Sequence, residues 1–199
     1  MHALILVDLQ YDFMPGGSLA VPEGDQVVSI ANQLMADFDL VVATQDWHPP
    51  DHLSFASQHP DREIGEQIEL GGLEQILWPD HCVQGTRGAE FHADLNQTSI
   101  DKVFPKGTDR LIDSYSGFYD NGHQKSTGLG EYLQEQQVKS VTVLGLATDF
   151  CVKWTALDAV KLGFQTRLIQ TGCRGVDLSP GDVGRACQEM QQAGVKIIE

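Results

Sequence analysis

A cysteine at the junction of a predicted strand and a predicted helix is a candidate nucleophile. Cys151 follows the apolar, β-branched run 141–144, which is typical of a buried strand, and helical apolar spacing begins directly after it. A thiol in the first turn of a helix faces unpaired backbone N–H groups and the positive end of the helix dipole, which both favour the thiolate. The alternative is a packing role for Cys151, because free cysteine is among the most buried residue types.

Two ionisable residues at other predicted strand ends supply the groups that a cysteine nucleophile needs. Asp8 follows the apolar run 3–7, and Lys106 follows a short strand-like run at 102–104. A buried carboxylate needs a partner or takes up a proton, so Asp8 can accept the proton of the Cys151 thiol. Lys106 can hold the negative charge, and the three residues together predict a site for nucleophilic catalysis.

A second cluster combines imidazoles with a carboxylate and predicts a site for one divalent metal. Asp46 and His48 are two residues apart and point the same way in an extended segment, while His81 reaches them from the following connection. His52 is a candidate fourth ligand. Zinc, iron and manganese all accept such ligands, and exposed histidines without a metal are the alternative.

Aromatic residues flank each of these reactive segments. Phe13, Trp78, Tyr115 and Phe150 can wall a pocket for a flat ring, or they can be ordinary core residues.

The elements that position these residues alternate between apolar strands and amphipathic helices. Strands are predicted at 3–7, 40–43, 141–144 and 166–169, with shorter ones at 102–104 and 195–198, and helices at 25–35, 129–136, 152–162 and 182–193. This alternation indicates one α/β domain over 1–199, a doubly wound, mainly parallel sheet with helices on both faces. The connection at about 46–97 is long and predicts an insertion that carries the metal site. The strand ends that bear reactive groups would then share one edge of the sheet.

Composition excludes several classes of partner. Thirteen Lys and Arg against 28 Asp and Glu give a net charge of −15, which repels nucleic-acid backbones and anionic membrane surfaces. The four cysteines form no CxxC pair, and the short apolar run at the N-terminus is neither a signal peptide nor a membrane span. We expect a cytoplasmic protein. The sequence allows a homo-oligomer, but it contains no clear apolar stripe that would specify the interface.

Six segments of the chain, taken in order, resemble the motifs of nicotinamidases within the isochorismatase-like cysteine hydrolases. They are 8–13 (Asp-Leu-Gln and then Phe), 45–49, 78–86, 104–107, 115–118 and 145–152. The resemblance implies that nicotinamide, and also pyrazinamide, is deamidated to the acid and ammonia through a thioester, in NAD salvage. It implies that Cys151 is the nucleophile, Asp8 the general base and Lys106 the third member of the triad.

The same resemblance assigns further residues of the site. Asp46, His48 and His81 match the metal ligands of the family, and His52 falls near a position that some members use. Zinc is the first expectation for the metal, with iron or manganese as alternatives, and the metal would anchor the pyridine nitrogen directly or through water.

The remaining assignments concern the substrate pocket. Phe13, Trp78 and Tyr115 resemble its aromatic residues. Family members place a cis peptide before the residue that matches Ala147, and the N–H groups of Ala147 and Cys151 would form the oxyanion hole.

Two rival functions are compatible with parts of this pattern. The first is another hydrolase on the same scaffold, a carbamoyl-amide hydrolase or an isochorismatase, although isochorismatases lack the cysteine and the metal cluster disfavours metal-free members. The second is a non-catalytic metal-binding or ligand-binding α/β module in which Cys151 belongs to the core.

Overall fold

Long apolar runs build the centre of the molecule, because strands that are covered on both faces must be apolar throughout. The computed structural model describes all 199 residues. Its strands are β1 (His2–Val7), β2 (Leu40–Asp46), β3 (Gln67–Leu70), β4 (Leu73–Ile76), β5 (Lys102–Lys106), β6 (Ser140–Leu146), β7 (Gln165–Arg174) and β8 (Lys196–Ile198). Its α-helices are α1 (Gln26–Leu34), α2 (Leu129–Glu135), α3 (Lys153–Lys161) and α4 (Asp182–Gln192). Every residue of β1 after His2 is buried.

Six strands form one parallel sheet in the order β5-β2-β1-β6-β7-β8. The chain moves from β1 outward to β2 and then β5, and it moves in the opposite direction from β6 to β7 and β8. Because crossovers between parallel strands are right-handed, these opposite directions place α1 on one face and the other helices on the second face. The predicted α/β fold class is confirmed, and the strand order reverses between β1 and β6, where ligands bind in such sheets.

Four strands, β2, β5, β6 and β7, extend further at their carboxyl ends than the sequence pattern predicts, and the extensions of β2 and β5 shape the site. β2 continues to Asp46 and β5 continues to Lys106, so these two residues end adjacent strands and stand opposite each other in the register. Neighbouring residues in register share a face of the sheet. The carboxylate of Asp46 and the ammonium of Lys106 are therefore brought side by side by the backbone.

The connection between β2 and β5 contains an antiparallel hairpin, β3–β4, that the sequence pattern does not predict. A second unpredicted feature is one turn of π-helix, Thr148–Val152, which joins β6 to α3. Cys151 lies within this turn rather than in the first turn of a regular helix. No helix of the molecule is both long and apolar enough to cross a membrane.

Candidate active site

The carboxylate of Asp8 is fully buried at the end of β1, where the chain turns with a positive φ of 52°. The hydroxyl of Thr44 donates a hydrogen bond of 2.6 Å to Oδ1, and Oδ2 accepts no hydrogen bond although it lies 2.9 Å from Lys106 Nζ. Burial raises the pKa of Asp8 to about 6, against the opposing effects of Lys106 and Thr44. Asp8 is thus a carboxylate that holds a proton more readily than usual, and its Oδ2 contacts the Lys106 ammonium.

The ammonium of Lys106 is the centre of the buried polar group. Nζ forms ion pairs with Asp8 and Asp46, donates to the carbonyl of Ser114 at 2.9 Å, and lies 3.3 Å from Cys151 Sγ. Burial alone would lower the pKa of Lys106, but the two carboxylates outweigh it and raise the pKa well above its usual range. Lys106 therefore stays charged and holds both carboxylates and the thiol around it.

The thiol of Cys151 lies at this centre but is not a thiolate at rest. Its sulfur lies within 4.8 Å of carboxylate oxygens of Asp8 and Asp46. Burial raises the pKa of the Cys151 thiol well above its usual range, although the Lys106 ammonium lowers it. At the resting site desolvation therefore outweighs the groups that favour the thiolate. Of the two carboxylates in reach, Asp8 is the better candidate to take the proton, because burial raises the pKa of Asp8, whereas Lys106 and His48 outweigh burial and lower the pKa of Asp46.

The backbone before the nucleophile offers a hydrogen-bond donor to a developing oxyanion. The Leu146–Ala147 peptide bond is cis, and the N–H of Ala147 donates no hydrogen bond within the protein. Ala147 and Cys151 both line the same cavity. A free backbone N–H on the wall that carries the nucleophile is the arrangement by which an oxyanion is stabilised.

Asp46, His48 and His81 form a buried group whose ligand atoms all lie within 4.8 Å of one another. His48 Nδ1 donates to the carbonyl of Gly107 at 2.9 Å, and His81 Nδ1 donates to the carbonyl of Pro79 at 2.8 Å. In each neutral ring, Nε2 therefore carries no proton and has a lone pair available for a metal. These Nε2 atoms lie 3.6 and 3.8 Å from Asp46 Oδ2. Buried His48 Nε2 has no hydrogen-bond partner, and burial lowers the pKa of His81 to about 4. The group fits a divalent metal.

His52 lies beside this group rather than in it. Its ring centroid is 4.5 Å from that of His48, and its Nδ1 accepts the N–H of Ser54 at 3.1 Å. A neutral ring with Nδ1 as acceptor carries its proton on Nε2, which disfavours metal binding there in this state, although His52 Nε2, like His48 Nε2, is buried without a hydrogen-bond partner. Its ligand atoms group instead with His48 and Asp113. The assignment of His52 as a ligand stays a prediction that the hydrogen bonding disfavours.

A cavity opens above Cys151 and is walled mostly by apolar side chains, four of which are aromatic. It is lined by Phe13, Leu19, Asp46, Trp78, His81, Asp113, Tyr115, Ala147, Phe150, Cys151 and Val176. The ring of Phe150 packs edge-to-face against Trp78 and Tyr115 at centroid distances of 5.0 and 5.6 Å, and Trp78 Nε1 donates to the Tyr115 hydroxyl at 3.1 Å. All four aromatic residues that the sequence singled out thus line one apolar cavity, a lining that suits a flat ring.

Sequence reasoning did not assign several lining residues to the site. Phe150 was named among the aromatics that can wall a pocket, but Leu19, Asp113 and Val176 carry no local signal. Val176 is held by the carboxylate of Asp149, which accepts the N–H groups of Val176 and the following residue at 3.0 and 2.8 Å. This contact draws the loop after β7 onto the cavity, and only the tertiary structure shows it.

Comparison with known proteins places this geometry in a family. The model of the isochorismatase domain matches residues 2–199. The chain belongs to the isochorismatase family. Among its relatives is the nicotinamidase of Escherichia coli, which is 49% identical over 98% of this chain and 93% of the relative.

Solved structures of the isochorismatase family agree with this assignment over the whole chain. A nicotinamidase/pyrazinamidase from Acinetobacter baumanii has a TM-score of 0.97 and 50% identity, covering 100% of this chain and 95% of that one. A pyrazinamidase from Pyrococcus horikoshii in complex with zinc has a TM-score of 0.80 and 40% identity, covering 100% of this chain and 98% of that one.

Proposed function

We propose that the protein is a nicotinamidase, a cysteine amidohydrolase that converts nicotinamide to nicotinate and ammonia. The observation that carries this proposal is the contact of Lys106 with both Asp8 and Cys151, the latter of which lines a cavity with aromatic walls. High identity to the E. coli nicotinamidase over almost the full length of both chains supports the substrate. The similarity to pyrazinamidases extends the proposal to pyrazinamide.

In the proposed mechanism Asp8 takes the Cys151 proton, and the thiolate attacks the carboxamide carbon. The N–H groups of Ala147 and Cys151 hold the tetrahedral oxyanion, while Lys106 stabilises negative charge on the sulfur. The C–N bond breaks as Asp8 returns the proton to the leaving nitrogen, which gives ammonia and a thioester. Asp8 then deprotonates a water molecule that attacks the thioester, the C–S bond breaks to release the acid, and Asp8 returns its proton to the Cys151 thiolate.

Asp46, His48 and His81 are the residues proposed to hold one divalent metal, with zinc as the first candidate. The zinc complex of the P. horikoshii relative and the unpaired lone pair of His48 support this set. When bound, the metal would supply a Lewis acid for the ring nitrogen of the substrate. His81 lies both in this set and on the cavity wall, so the ring would be held on the side where the aromatic residues enclose it.

Ammonia release from nicotinamide, measured before and after chelation, tests the activity and its metal dependence together. We expect release by the metal-loaded protein, a large loss after chelation because the ring is no longer anchored, and recovery on adding Zn²⁺. Release that is indifferent to chelation would favour a metal-free hydrolase. Bound metal without any release from nicotinamide or pyrazinamide would favour the non-catalytic module.

The raised pKa of Asp8 predicts an acid limb in the pH–rate profile. Asp8 must be deprotonated to accept the thiol proton, so kcat/KM should fall as the pH drops through about 6, the pKa to which burial raises this carboxyl. The measurement is kcat/KM for nicotinamide between pH 4.5 and 8, with circular dichroism to establish that the protein stays folded. A flat profile across pH 6 in folded protein would contradict Asp8 as the base.

We also propose that the protein lies in the cytoplasm and acts in NAD salvage. Its four cysteines are all free thiols, which is the state that a reducing compartment maintains.

A further inference from the structure

One residue of the first sequence motif has no part in the proposed mechanism, although it is completely buried beside the site. The side chain of Gln10 makes three short hydrogen bonds to backbone groups. Nε2 donates to the carbonyl of Asp46 at 2.7 Å and to that of Ala89 at 2.9 Å, and Oε1 accepts the N–H of Asp46 at 2.8 Å. Two of the three bonds therefore fix both polar backbone groups of the same residue.

The path of β1 explains why a side chain, rather than a neighbouring strand, makes these bonds to the backbone of Asp46. Strand β1 pairs with β2 only as far as Leu6 and Ala43, and the chain then turns away at Asp8. Strand β2 continues to Asp46, whose backbone groups would face an empty position on the β1 side. Buried backbone donors and acceptors need partners, and the amide of Gln10 takes the place of the missing strand.

A small displacement of Asp46 would affect both Lys106 and the metal group. One carboxylate oxygen pairs with Lys106, which contacts the nucleophile, and the other faces His48 and His81. The position of the Asp46 backbone therefore determines whether its carboxylate can reach both Lys106 and the two histidines. Outer contacts of this kind orient metal ligands, and their loss commonly costs about 10- to 100-fold in metal affinity.

We propose that Gln10 is a positioning residue that sets the metal affinity of the site by clamping the backbone of Asp46. The inference rests on the metal site of the proposed function. It makes no use of substrate chemistry, so binding of the metal alone can test it.

The test is a titration of Zn²⁺ against metal-stripped full-length protein, in competition with a chromogenic chelator. For Gln10→Met, which keeps the length of the side chain and removes all three bonds, we expect the dissociation constant for Zn²⁺ to rise by about 10- to 100-fold. The matched control is Asn32→Leu on α1. Asn32 makes a similar clamp, donating to the carbonyl of Asp94 at 2.7 Å and accepting the N–H of Asn96 at 2.8 Å, but lines no part of the site. Its removal should leave the affinity for Zn²⁺ unchanged.

Wild-type affinity for Zn²⁺ in folded Gln10→Met protein would overturn the inference, as would an equal loss in Asn32→Leu. If circular dichroism shows that Gln10→Met does not fold, Gln10→Asn replaces it, because its amide is one methylene too short to reach Asp46. That variant should also bind Zn²⁺ more weakly, and unchanged affinity would overturn the inference equally. A wild-type protein that binds Zn²⁺ but releases no ammonia would disprove the proposed activity alone.

Discussion

Cys151→Ala is expected to abolish ammonia release from nicotinamide while leaving the fold and the metal group intact. The sulfur is the only nucleophile that touches Lys106 in the cavity, and alanine fills the same place without a reactive atom. Removing the nucleophile of a catalytic triad typically lowers kcat on the order of 10⁶-fold. The measurement is kcat for ammonia release, with metal content and circular dichroism recorded on the same preparation.

Cys173→Ala is the matched control for this substitution. Cys173 is also a buried free cysteine. Its Sγ donates a hydrogen bond to the carbonyl of Ile169, and its side chain does not line the cavity. Its loss should leave kcat near the wild-type value. Substantial activity in Cys151→Ala, or an equal loss in Cys173→Ala, would show that the thiol at 151 is a packing residue.

The second large effect is expected for Asp8→Asn. Asparagine matches the shape of aspartate and can still accept the Thr44 hydroxyl through its oxygen, but it cannot take a proton from the thiol. Loss of general acid–base catalysis typically costs about 10²- to 10⁴-fold in rate, and both the acylation and deacylation steps depend on this base. Because Asp8 does not line the cavity proposed to hold the ring of the substrate, kcat should fall much more than KM rises.

Asp158→Asn is a suitable control for Asp8→Asn, since Asp158 is a buried carboxylate on α3 that pairs with Lys161. Its substitution removes a buried charge without touching the triad, so ammonia release should persist. Parallel measurements of kcat and KM for both variants separate a lost base from a general weakening of the fold. If Asp8→Asn retained wild-type kcat, the role of general base would have to belong to another group.

The sequence predicted which residues come together because strand ends of a parallel sheet share an edge. Asp8 and Cys151 follow strands that prove to be neighbours, β1 and β6, at the point where the strand order reverses. Asp46 and Lys106 were placed beyond the ends of their predicted strands, whereas they are the last residues of β2 and β5. The edge was therefore predictable, and the exact register between the carboxylate and the ammonium was not.

Other features depend on tertiary contacts that local pattern cannot encode. The disposition of His52 follows from its hydrogen bond with Ser54, and the position of Val176 follows from Asp149, far from it in sequence. The state of the Cys151 thiol is similar, since the helix dipole is a local effect whereas desolvation depends on everything packed around the sulfur. Residue type and spacing predict candidate chemistry, but burial decides the protonation state in which each group starts.

The position of β5 at the margin of the sheet has a consequence for how the enzyme loses activity. Edge strands have a partner on one side only, and Pro105 in β5 provides no N–H for a second. Local opening draws on such weakly held elements long before the core unfolds. Lys106 is the last residue of this strand, so fraying of the edge would withdraw the cation from Asp8 and Cys151 together. We then expect the working lifetime of the site to depend on how long β5 stays paired with β2 rather than on the stability of the whole domain.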